Sequence, residues 1–92
     1  MVDDKTLRKV CSKLDKALEA NRLDDAVQLL AQLRTYEPDN ARWPHKQGDL
    51  LRNLGRNAEA VQCYVVAVGF YVDQGFIARA VAMAKTIVAM DP

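Results

Sequence analysis

Cys11, His45 and Cys63 are the side chains best equipped for nucleophilic or metal chemistry, and each stands alone in the chain. A thiolate nucleophile needs a basic partner, and a structural zinc site needs four ligands in short paired spacings. Two cysteines 52 positions apart (11 to 63) with one histidine supply neither a metal set nor a disulfide framework. Both cysteines lie inside apolar patterns, so buried, reduced thiols are expected. His45 has no serine or cysteine motif beside it and reads as a groove or surface residue early in a helix. The carboxylate pairs Asp3-Asp4 and Asp24-Asp25 fall at the starts of helical patterns. There, negative charge complements the helix dipole, a simpler role than holding a cation. Gly48, Gly55, Gly69 and Gly75 do not have the spacing of a phosphate loop. No catalytic constellation, cofactor or metal is expected, and the chain reads as a non-enzyme.

The elements that would position any binding residue are helical. Residues 5–20, KTLRKVCSKLDKALEA, place Leu7, Val10, Cys11, Leu14, Ala17 and Leu18 at spacings of three and four. Asn21-Arg22 breaks that pattern, and residues 23–36 resume it with Leu23, Ala26, Val27, Leu30 and Leu33. Pro38 closes the second helix, and Asp39-Asn40 can cap a third over about 41–54. Pro44 falls in the first turn of that helix, where its missing N–H costs little. Gly55 suits a helix stop and Asn57 a cap, giving a fourth helix over about 57–73. Gly75 interrupts, and a fifth helix covers about 76–90. No segment alternates as a strand would. An all-α array of five antiparallel helices follows, as one domain over residues 1–92.

Composition agrees with a folded domain and weighs against other classes. Half of the 92 residues are apolar, and 13 basic against 12 acidic side chains leave a net charge of +1. A chain that binds nucleic acid shows a clearer basic excess, so Arg8, Lys9, Arg42, Lys46, Arg52 and Arg56 make a weak case for that partner. The N-terminus lacks the apolar core of a secretion signal, and the apolar run after Gln62 is too short to span a bilayer. A cytoplasmic protein without a membrane segment is expected.

The helices also repeat. Asn21 and Gly55 are 34 residues apart, as are Ala26 and Ala60, Leu30 and Tyr64, and Leu33 and Ala67. The last copy reads Tyr64, Ala67-Val68, Tyr71, then Ala80, Ala84 and Pro92. The middle reads Pro44, Gln47-Gly48, Leu51, then Ala60 and Tyr64; the first reads Val10, Lys13-Leu14, Ala17, then Ala26, Leu30 and Pro38. In length and in residue kinds the chain resembles tetratricopeptide repeat proteins, with repeats over about 7–40, 41–74 and 61–92. Gln47 and Lys13 depart from the leucine usual in that pattern, and Pro44 stands where tryptophan is usual. Ala60 and Ala80 are only 20 residues apart, so the fourth helix is expected to serve two repeats and to lie between helices three and five.

The resemblance implies a rigid α-solenoid whose first helices line a groove for a partner peptide or helix. Carried onto this chain, the groove candidates are Arg8, Cys11, Asp15, His45, Lys46, Asp49, Arg52 and Asn53. The lysine and asparagine clamp of the chaperone-binding subgroup is replaced here by Cys11 with Asp15 and His45 with Asp49, which argues against that ligand. A second surface is expected on helix five. Ile77, Ala80, Val81, Ala84, Ile87 and Val88 would fill an inward face. Phe76, Arg79, Met83, Thr86 and Met90 would then be left for self-association or for packing on further chain. The expected function is a protein-interaction module or adaptor, read as bacterial in style from its compact alanine-rich repeats. A chaperone similar to tetratricopeptide secretion chaperones is the alternative, and nucleic-acid binding ranks below both.

Overall fold

The computed structural model describes residues 3–90. Five helices follow one another: α1 (Asp4–Glu19), α2 (Leu23–Tyr36), α3 (Arg42–Asn53), α4 (Asn57–Asp73) and α5 (Ile77–Met90). Their bounds lie within a residue of those read from periodicity. Among the described residues there is no strand, and no helix is long and apolar enough to cross a membrane.

Short connections at 20–22, 54–56 and 74–76 reverse the chain, and the backbone builds all three in the same way. Asn21 (φ 56°), Gly55 (φ 79°) and Gly75 (φ 82°) take the left-handed conformation, which glycine adopts without penalty and asparagine tolerates. In each case the next N–H closes a 2.8 Å bond back across the turn: Arg22 to Ala17, Arg56 to Leu51 and Phe76 to Tyr71. This is the Schellman arrangement, which satisfies carbonyls left open at a helix end. Five residues beyond each left-handed residue comes an alanine, Ala26, Ala60 or Ala80, and all three are buried.

Helix starts are less uniform. Asp3 caps α1, its carboxylate accepting from the Thr6 N–H at 2.8 Å, and that bond holds its pKa below the usual value. Asn40 accepts from the Arg42 N–H at 3.0 Å. Asn57 is not a cap. It is the first residue of α4, and Arg56 before it makes no capping bond, pairing instead with Glu59 at 2.6 Å.

Each helix packs only on its neighbours in sequence: α1 on α2, α2 on α3, α3 on α4 and α4 on α5. The result is a flattened body of 39 × 29 × 16 Å. The core runs through Leu14, Leu30, Leu33, Trp43, Leu51 and Tyr64, with Ala17, Ala26, Ala60 and Ala67 fully covered where helices approach closely. Pro44 is also fully buried in the first turn of α3. Trp43 keeps its indole N–H satisfied by donating to Glu37 at 2.8 Å. The fourth helix does lie between α3 and α5. One side of it (Ala60, Tyr64, Ala67, Tyr71) is buried, and Val61 and Val68 are partly covered.

The rotation of α5 differs from the expected one. Ala80 and Met83 are buried and Ile87 and Met90 partly so, whereas Ile77, Val81 and Val88 are 54%, 48% and 66% exposed. Ala84 is exposed as well. The face expected to point inward is thus largely outward, and Met83 is inside. Small Ala80 seats the start of α5 against α4 as Ala60 seats α4 against α3, and this fixes the rotation in favour of the 80, 83, 87, 90 series.

Candidate functional site

With α4 between them, α3 and α5 stand as the two walls of a cleft of about 230 Å³. His45, Asp49 and Arg52 come from α3, and Arg79, Ala82, Met83 and Thr86 from α5; Tyr64 of α4 lies at the floor. Positions 45, 49 and 52 share one helical face, as do 79, 83 and 86, because side chains three and four apart stack on one side. Three of the groove candidates and three of the end-face candidates therefore meet in a single site.

Arg8, Cys11 and Asp15 lie on α1 and take no part in this cleft. Cys11 is only half-buried, unlike Cys63. Lys46 and Asn53 are exposed on α3 beside the cleft without lining it. Phe76 is 47% exposed at the α4–α5 turn, and Met90 borders Asn57, Val61 and Gln62 at the opposite end of α5.

A hydrogen-bonded row orders the α3 wall. The Tyr64 hydroxyl donates to Asp49 Oδ1 at 2.5 Å, and His45 Nε2 lies 3.8 Å from Asp49 Oδ2. His45 Nδ1 is hydrogen-bonded to the Tyr71 hydroxyl at 2.9 Å. Burial, and then the Asp49 carboxylate beside it, push the Tyr64 phenol up to about 12, against the pull of Arg52. Both tyrosine hydroxyls are thus held in place, and the carboxylate of Asp49 is already engaged. On the other wall the Arg79 guanidinium lies over the rings of Phe76 (5.1 Å) and Tyr71 (6.0 Å).

Both ring nitrogens of His45 face partners, Tyr71 and Asp49, and the raised Tyr64 phenol keeps its proton near neutral pH. Among the described residues no three His, Cys, Asp or Glu side chains converge as metal ligands would. What the cleft offers is fixed shape, one covered methionine and two guanidinium groups.

Behind the α3 wall lies a second polar cluster that the residue pattern marked only as a departure from leucine. Gln47 is buried; its Oε1 accepts from Arg34 Nη1 at 2.9 Å, and its Nε2 donates to the Val27 carbonyl at 3.4 Å. The Cys63 thiol donates to the same Oε1 at 3.7 Å. Burial pushes the Cys63 thiol above its ordinary value, with Arg34 opposing. Gln47 joins α2, α3 and α4 and is a structural residue. No protein-family model matches the chain, and neither a curated protein sequence nor a solved structure matches it.

Proposed function

We propose that the chain is a tetratricopeptide-like, non-catalytic interaction module, an adaptor that holds a peptide or helix of a partner protein in the α3–α5 cleft. The observation that carries this reading is the threefold repetition of one turn, at Asn21, Gly55 and Gly75, with the same hydrogen bonds each time. A repeated turn followed by a repeated buried alanine supports stacked helical hairpins. Stacked hairpins present a preorganised groove, which lowers the ordering cost of binding. Pinned side chains such as Tyr64 and His45 suit recognition of that kind. A bacterial, cytoplasmic adaptor is the finer form of this reading.

The exposed apolar face of α5 favours a second use. Ile77, Val81 and Val88 suit self-association, contact with further chain, or the holding of an aggregation-prone partner as secretion chaperones do. Nucleic-acid binding has less support, because the floor tyrosines are buried and offer no open ring for bases to stack on.

Affinity capture from source lysate tests the proposal, using wild type beside Arg79→Glu and Val88→Asp. Both positions are exposed, so both variants are expected to fold. Loss of a partner by Arg79→Glu alone assigns binding to the cleft, and loss by Val88→Asp alone assigns it to the outer face of α5. Equal capture by all three proteins would overturn both uses.

A further inference from the structure

Resting on the cleft reading above, we propose that the occupant is an acidic peptide segment, its carboxylates held by Arg52 and Arg79 and an apolar side chain set between them over Met83. The near-neutral net charge conceals an uneven distribution. Over all their faces, helices α3 and α5 carry Arg42, Lys46, Arg52, Arg79 and Lys85 against a single acid, Asp49; of these, Arg52, Arg79 and Asp49 line the cleft. That is five cations to one anion. The rest of the chain holds the remaining eight cations (13 less 5) and eleven anions (12 less 1). Among the described residues none of these five cations forms an ion pair, whereas Arg22 and Arg56 elsewhere do.

Asp49 offsets one of the two lining arginines, so the cleft keeps one cation in excess. Its oxygens face the Tyr64 hydroxyl and His45, so it is occupied within the protein. Arg52 and Arg79 both line the cleft, and a guanidinium presents paired donors that match a carboxylate. Arg79 stands at the Tyr71 end and Arg52 at the Tyr64 end. Those tyrosines are two helical turns apart on α4, a separation of about 10 Å. An extended peptide rises about 3.3 Å per residue, so the two acids would sit about three positions apart. Met83 and Ala82 lie between, and they fit an apolar side chain.

Panning a displayed library of random short peptides against the folded protein tests this. The selected peptides are expected to carry two Asp or Glu residues about three positions apart around an apolar residue. Their binding, read by fluorescence anisotropy, should weaken with added salt. Replacing either acid by Gln or Asn, or introducing Arg52→Gln or Arg79→Gln, should weaken it about tenfold, the effect of losing one charged hydrogen bond. Lys9→Gln on α1 should leave it unchanged. Selection of neutral peptides whose binding is abolished by Thr86→Tyr would overturn the acidic occupant while leaving the cleft as a peptide site. No enrichment at all by the folded protein would overturn it too. So would tighter binding of a short single-stranded DNA that both arginine variants lose. The capture experiment judges the cleft itself independently.

Discussion

The ring of Tyr64 fills the space that Gly48 leaves by having no side chain. A Cβ built on Gly48 would lie 2.6 Å from Tyr64 Cε1 and 2.7 Å from Cδ1, closer than carbon atoms come. The ring has little freedom to retreat, since Tyr64 is 1% exposed and its hydroxyl is tied to Asp49. The two residues set how closely α3 and α4 approach, and so the depth of the cleft floor.

Gly48→Ala is therefore expected to destabilise by about 1–3 kcal/mol through overpacking. In a domain of this size each kcal/mol lowers the Tm by roughly 4–8 °C. Gly69→Ala is the informative contrast. Gly69 sits mid-helix in α4 with nothing within 4 Å of its Cβ direction, so alanine should stabilise by about 0.5–1 kcal/mol. Thermal unfolding followed by circular dichroism separates opposite signs for one substitution type.

The phenol of Tyr64, pushed from 10.0 up to about 12, predicts a loss of stability in alkali. The folded state keeps the proton that the unfolded chain releases near pH 10. The contribution is whole below that pH and is lost as pH rises from 10 to about 12. Urea unfolding across that window should show the decline, and Tyr64→Phe should flatten it. Equal slopes for the two proteins would remove Tyr64 as the cause.

Gln47→Leu should cost about 1–3 kcal/mol even though it restores the residue usual in the repeat pattern, because Arg34 loses its acceptor. Arg34→Met combined with Gln47→Leu should recover most of that loss. A double-mutant cycle by chemical denaturation measures the coupling.

Val81→Lys with Val88→Lys should leave unfolding free energy within about 0.5 kcal/mol, because both side chains are about half or more exposed. The same protein should bind less of an apolar dye and show weaker self-association in sedimentation at high concentration. A large drop in stability would mean that these valines are buried.

Helix number, helix bounds and the place of α4 between α3 and α5 were legible because they depend on local signals: Pro38, the Asn21 and Gly55 turns, and apolar spacing. The rotation of α5 was not, because Ile77, Ala80, Val81, Met83, Ile87 and Val88 satisfy two helical faces at once. The turn register held the missing information. Counting five residues from Gly75, as from Gly55, aligns Ala80 with Ala60 and Met83 with Cys63, both buried. The joining of His45, Asp49 and Arg52 with Arg79, Met83 and Thr86 depended on that rotation, so the cleft followed it out of reach. Gln47 stood out only as an anomaly, since its partners Arg34 and Val27 are brought to it by packing.

Because each helix packs chiefly on its neighbours in sequence, most native contacts are local, and folding needs few distant loop closures. The two end helices each rest on one interface, whereas α2, α3 and α4 rest on two. Amide hydrogens of α5 and α1 should exchange through partial opening, ahead of those in α3 and α4. The wall of the cleft that carries Arg79 is thus the wall that can swing away, and a ligand bridging both walls would slow exchange across all of α5.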